Sequence, residues 1–227
     1  MIEAFETQGA ASAAAAAEIE RALRTAIAQR GRAVFVGTGG RTPAAVYERL
    51  RNADLDWSRV TVTLSDDRCV GPDAPESNAR LVQQHLLLGE AAAARFEPLW
   101  TPSASPEAAA LAVEPVIHGL MPFDVVLLGM GEDGHVASLI PGDPKLGEAM
   151  APDAARAVVG VPSGIGSPPL PRVSLTFSAL LRARLVLVLV SGEAKHEVVR
   201  RAQAGADLPV SALLSQTAVP VRVLWSP

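Results

Sequence analysis

Short aliphatic runs alternate with longer amphipathic stretches along most of the chain. Ala33–Val36, Arg59–Leu64, Phe123–Leu128, Ala157–Val161, Arg184–Val190 and Val221–Trp225 read as strands. Several are nearly continuous in apolar residues, the pattern of strands buried on both faces of a parallel sheet. Between them, Ser12–Gln29, Pro43–Arg51, Asn78–Leu87, Pro106–His118 and Glu193–Ala204 carry helical spacing. Thr42 reads as an N-cap ahead of Pro43, a residue that the first helical turn tolerates. This alternation predicts an α/β fold, a mostly parallel, Rossmann-like sheet flanked by helices, as one domain over residues 1–227. Pro162–Pro171 reads as a surface loop, and the alanine-rich patches as helix filler.

Composition narrows the partners. The net charge is −4, which argues against a general nucleic-acid binder, because gripping a phosphate backbone needs a surplus of Lys and Arg. A small anion needs only a few well-placed cations and stays open. The aliphatic run Leu185–Val190 is far short of the roughly 20 residues of a membrane span, so no membrane partner is expected. Glu3 and Glu6 stand where a signal peptide carries positive charge. With one cysteine, Cys69, the expected location is the reducing cytoplasm. The His and Cys residues show no ligand spacing, so neither metal nor cofactor is expected.

Four polar clusters fall where ligands bind in an open parallel sheet, at the carboxyl ends of strands. Gly37–Pro43 is a glycine-rich turn leading into a helix, able to bring free N–H groups to an anion; it matches neither the Walker loop nor GxGxxG, and a plain connecting turn is the alternative. Ser65–Arg68 offers a guanidinium that can fork onto a phosphate, or a solvated charged loop. Leu128–Ser138 places Asp133 and His135 in a turn with Gly129, Gly131 and Gly134. An imidazole titrates near neutrality and can take and return a proton. His85, His118 and His196 lie within helical patterns and read as surface or packing residues. Ser191–Lys195 puts a lysine in the first turn of a helix, where it opposes the dipole unless it faces an anion.

In this order the clusters resemble the 6-phosphogluconolactonase family, which shares a superfamily with glucosamine-6-phosphate deaminases and sugar-phosphate isomerases. The chain carries GGRTP (Gly39–Pro43), DDR (Asp66–Arg68) with Ser77-Asn78, GMGEDGHVASLIPG (Gly129–Gly142), PRVSLT (Pro171–Thr176) and SGEAK (Ser191–Lys195). The resemblance spans about residues 33 to 205, and the Gly129–Gly142 stretch is its most specific part. It implies hydrolysis of a phosphorylated sugar lactone by a monomer or small homo-oligomer. His135 would be the general base and Asp133 its orienting partner. Arg68 and Lys195 would clamp the phosphate with the Gly39, Gly40, Arg41 and Thr42 backbone. Asp66, Asn78, Gly131, Gly134 and Arg172 would complete the pocket, with the Gly129–Gly134 turn supplying N–H donors to the oxyanion. Arg41, Asp67, Val136 and Ile140 depart from the family pattern of Ser, Glu, Thr and Phe. Two other readings compete. An amino-sugar-phosphate deaminase resembles a continuation with Glu where Ile140 stands and Tyr where Arg68 stands. A sugar-phosphate sensor would keep the pocket without catalysis and would bring a DNA-binding helix pair, for which the segment before Ala33 is too short.

Overall fold

The computed structural model describes residues 2–227. Its strands are β1 (Ile2–Ala4), β2 (Ala33–Gly37), β3 (Val60–Leu64), β4 (Asp66–Arg68), β5 (Arg95–Phe96), β6 (Val125–Leu128), β7 (Val158–Val161), β8 (Arg172–Leu175), β9 (Val186–Ser191) and β10 (Val221–Ser226). Its helices are α1 (Gln8–Arg30), α2 (Arg41–Leu50), α3 (Asn78–His85), α4 (Pro106–Leu120), α5 (Leu146–Ala149), α6 (Phe177–Leu180), α7 (Glu193–Gln203) and α8 (Pro209–Ser215).

One sheet orders its strands β1-β10-β9-β6-β2-β3-β5, every neighbour parallel. β2, β6 and β9 are buried along their lengths, apart from the half-buried Ser191, as their unbroken apolar sequences require. α1 lays Ala11, Ala15, Ile19 and Leu23 into the core, a stripe of every fourth residue that small alanines let approach closely. From β2 the chain runs outward to β3 on one side, and β6 pairs with β2 on the other. The crevice at the carboxyl ends of β2 and β6 is therefore the topological switch point of the sheet, the place where such folds bind ligands.

A second, smaller sheet accompanies the expected parallel one. β4, β8 and β7 form a three-stranded antiparallel sheet, so the strand expected at Ala157–Val161 belongs here and not in the parallel sheet. β4 pairs Asp66 with Ser174 and Arg68 with Arg172. β4 is wholly polar and reads as loop, and the alternation of β8 (Arg172-Val173-Ser174-Leu175) is too short to stand out. α4 packs on β7, and Gly160 permits it: a Cβ there would strike the backbone of Pro106 and Glu107. The Pro162–Pro171 segment, expected as a loop, is one. No helix among the described residues is long and apolar enough to cross a membrane.

Candidate active site

Three loops that leave the parallel sheet meet β4 and β8 around a cavity of about 290 Å³. The first follows β2. α2 begins at Arg41 and its cap is Gly40, at φ +107°, not Thr42 as the sequence implied. No side chain caps this helix, which leaves its first N–H groups for a ligand. Tyr47, fully buried, braces the loop: its hydroxyl donates to Thr38 O at 2.6 Å and accepts from Thr38 N–H at 2.8 Å. α7 opens the same way after Gly192, at φ +91° and again uncapped by a side chain, with Lys195 in its first turn. Trp225 holds that start, its indole N–H donating to Gly192 O at 3.2 Å while its ring stacks on His196 at 4.2 Å.

The floor comes from the antiparallel sheet. Asp66 is buried and accepts from Ser65 Oγ at 3.0 Å and from Ser138 Oγ at 2.6 Å. Arg172, 2% exposed, donates to Ser138 Oγ at 3.4 Å and, through its other terminal nitrogen, to Pro168 O at 2.9 Å. Burial, and then the neighbouring charge of Arg68, hold Arg172 below its usual pKa, while Asp66 opposes them. Arg68 donates to the Asn78 side-chain oxygen. Asn78 in turn donates to Asp66 O at 2.8 Å. A Cβ on Gly39 would collide with that Asn78 amide, so the glycine is needed for close approach. Asp67 faces away from the cavity and caps α3, accepting from the N–H groups of Asn78 at 2.7 Å, Ala79 at 3.1 Å and Arg68 at 2.8 Å. Burial outweighs these donors and pushes the Asp67 carboxyl up to about 6.

The turn after β6 carries His135 against Asp133, with Nδ1 2.6 Å from the carboxylate. A Cβ on Gly131 would overlap the His135 ring and Asp133. His135 is 27% exposed and Asp133 46%, so water reaches the pair. A carboxylate accepts, so the proton between them sits on Nδ1 and Nε2 is left with its lone pair.

Of the residues singled out from sequence, Gly39, Gly40, Arg41, Thr42, Asp66, Arg68, Asn78, Gly131, His135, Arg172 and Lys195 line this one cavity. Asp133 stands behind His135. Gly134 does not line the cavity either; its carbonyl accepts Val210 N–H from α8. Thr38, Met130 and Ala137 also stand on the wall, inside clusters read from sequence but not singled out there, and Leu189 of β9 was missed altogether. Ala137 holds φ +51°, a strained conformation for a residue with a side chain that no local pattern announces. The cavity therefore gathers Arg41, Arg68, Arg172 and Lys195 around the single carboxylate of Asp66, a local positive surplus in an acidic protein.

The fold and site define a parallel α/β protein with a cation-lined pocket and an acid–imidazole pair at its switch point. The chain belongs to the glucosamine-6-phosphate isomerase/6-phosphogluconolactonase family, whose model matches residues 6–225. It is 44% identical over 225 residues to the 6-phosphogluconolactonase of Caulobacter vibrioides, covering 99% of this chain and 97% of that one. The 6-phosphogluconolactonase of Pseudomonas aeruginosa is 43% identical over 93% of this chain and 89% of its own. A crystal structure of a 6-phosphogluconolactonase from Shewanella baltica superposes with a TM-score of 0.95 at 35% identity, covering 100% of this chain and 97% of that one.

Proposed function

We propose that the protein hydrolyses 6-phospho-D-glucono-1,5-lactone to 6-phospho-D-gluconate, with His135 as base. The observation that carries this is the His135–Asp133 pair, open to water, on the wall of a cavity lined by four cations. The full-length relatives carry the same activity in their names. Water attacks the lactone carbonyl as Nε2 takes its proton. The tetrahedral intermediate then expels the ring oxygen, to which the imidazolium returns the proton. Asp133 holds the imidazole in the tautomer this needs and stabilises its charged form. Gly131, Gly134 and His135 use their N–H groups inside the turn. Gly129 and Met130, both on the cavity wall, are left to supply donors to the oxyanion, a narrower source than the whole turn.

The phosphate binds among Arg68, Lys195 and the open helix start at Gly40–Thr42. Arg68 Nε and Arg172 Nε are buried without a partner, a cost that a bound anion offsets. The deaminase reading needs a second free carboxylate for isomerisation. Ile140 stands where that pattern has Glu, and both oxygens of Asp66 are occupied by serine hydroxyls. The reaction runs without metal or cofactor, on a dissolved substrate in the cytoplasm, in a monomer or small homo-oligomer.

The test generates the lactone in situ with glucose-6-phosphate dehydrogenase and follows its opening with 6-phosphogluconate dehydrogenase. A rate above spontaneous opening, unaffected by EDTA and reduced about 1,000-fold in His135→Ala, is expected. No excess over the background sinks the reading. Arg68→Ala should lower kcat/KM about 100-fold for the phosphorylated lactone and leave an unphosphorylated one unchanged. Equal losses on both would remove Arg68 from the clamp.

A further inference from the structure

The catalytic turn is braced from behind by an element that has no place in the cavity. α8 starts at Pro209, and Leu208 at its N-cap provides no side-chain cap. The first N–H groups of a helix need an acceptor from outside. The turn provides one, since Val210 N–H donates to Gly134 O at 3.0 Å. Leu208 packs on the same glycine. A Cβ on Gly134 would stand 3.0 to 3.3 Å from Leu208 side-chain carbons, and Gly134 already lies at φ +80°. On its far side Gly134 N–H donates to Gly131 O, and Gly131 N–H donates to His135 O. Hydrogen bonds thus run from α8 through both glycines to the backbone of the histidine.

We infer that Leu208 is a positioning residue for the reaction, fixing Gly134 and through it the placement of the His135 imidazole. The inference rests on His135 being the base. Leu208 is absent from the cavity wall, so it acts on the chemistry only through the turn. Its support is the hairpin of α7 and α8, which pack on each other, with Lys195 in the first turn of α7 and the brace on Gly134 at the start of α8. A groove of about 440 Å³, lined in part by Leu208, Ala212 and Ser211, runs alongside. Truncating Leu208 to alanine therefore widens an existing space and removes two of the three side-chain carbons nearest Gly134, Cδ1 and Cδ2.

The experiment compares Leu208→Ala, Leu208→Val and Leu208→Met with the parent by steady-state kinetics on the phosphorylated lactone. Small displacements of a catalytic group cost rate more than binding. Leu208→Ala should lower kcat about tenfold with KM within about twofold, and Leu208→Val should fall between it and the parent. Leu208→Met, which conserves volume, should restore kcat to within about twofold. The His135 ring resonance should move in Leu208→Ala while that of His85 stays in place. Parental kcat in Leu208→Ala and Leu208→Val overturns the inference. So does a rise in KM at constant kcat, or a Leu208→Met variant as slow as Leu208→Ala. His135→Ala run in parallel separates the two claims. If it keeps its rate, the base assignment has failed; if it is inactive while both Leu208 truncations are normal, only the positioning role has failed.

Discussion

At the floor of the cavity Asp66 divides its two oxygens between Ser65 and Ser138 and is buried, while at the mouth His135 has Asp133 beside it and 46% of that carboxylate's surface is open. The floor is a buried polar network in which Asp66, its two serines, Asn78 and the arginines bond one another, with the Nε groups of Arg68 and Arg172 left over for a ligand. The mouth is a pair on a glycine turn, held mostly through its backbone. The two designs suit different tasks. Binding a phosphorylated sugar needs cations fixed in advance, and a buried network fixes them. Activating water needs a base that water can reach.

Substitutions can break this contrast, because floor residues should register in stability and mouth residues in rate. Asp66→Ala strands the Ser65 and Ser138 hydroxyls and removes the charge beside Arg172. A loss of about 3 kcal/mol should appear as a melting temperature lower by about 6 to 12 °C. A smaller change than about 1 °C would mean that the bonds of Asp66 do not hold the floor together. Asp133→Asn should do the opposite, with kcat falling about 100-fold while the thermal midpoint stays within about 1 °C. A variant that melts early but turns over normally would exchange the roles of the two regions.

The next effect is one of pH. Asp67 titrates near 3.8 when unfolded and near 6 in the fold. Below pH 4 the group is protonated in both states. Between pH 4 and 6 the unfolded chain has released the proton and the native chain has not, so stability falls as pH rises through that window. Asp67→Asn removes this slope, and the difference in melting temperature between parent and variant, followed from pH 4 to 7, should change by a few degrees. A constant difference would show that the carboxyl is ionised throughout. The smallest effect concerns Cys69. Burial, and then the nearby Asp67, push its thiol up to about 11, so alkylation by iodoacetamide at pH 8 should run at least about tenfold slower than for a free thiol, because the thiolate reacts.

What could be read in advance follows from how far apart the interacting residues lie in the chain. Asp133 and His135 are two residues apart, and both stood out in the Glu-Asp-Gly-His turn. The buried strands β2, β6 and β9 were visible because burial on both faces leaves an unbroken apolar run. The floor residues Asp66, Arg68, Asn78 and Arg172 were named by the motif resemblance but their network was not, since the Asp66–Ser138 bond joins residues 72 apart and β4 and β8 are only three and four residues long. Asp67 looked like a shortened member of a charge cluster; only the fold shows it capping α3. The helix start at Gly40 was misplaced to Thr42 because a threonine before proline is the stronger local signal, although a glycine at φ +107° leaves the N–H groups freer. Nothing local marked α8 as the support of Gly134.

The contact of Trp225 with Gly192 and His196 gives the protein an optical gauge. An indole stacked on an imidazole and bonded to the residue that starts the Lys195 helix emits according to that helix's position. A ligand that shifts the start of that helix should therefore change Trp225 emission, read once Trp57 and Trp100 are replaced by phenylalanine.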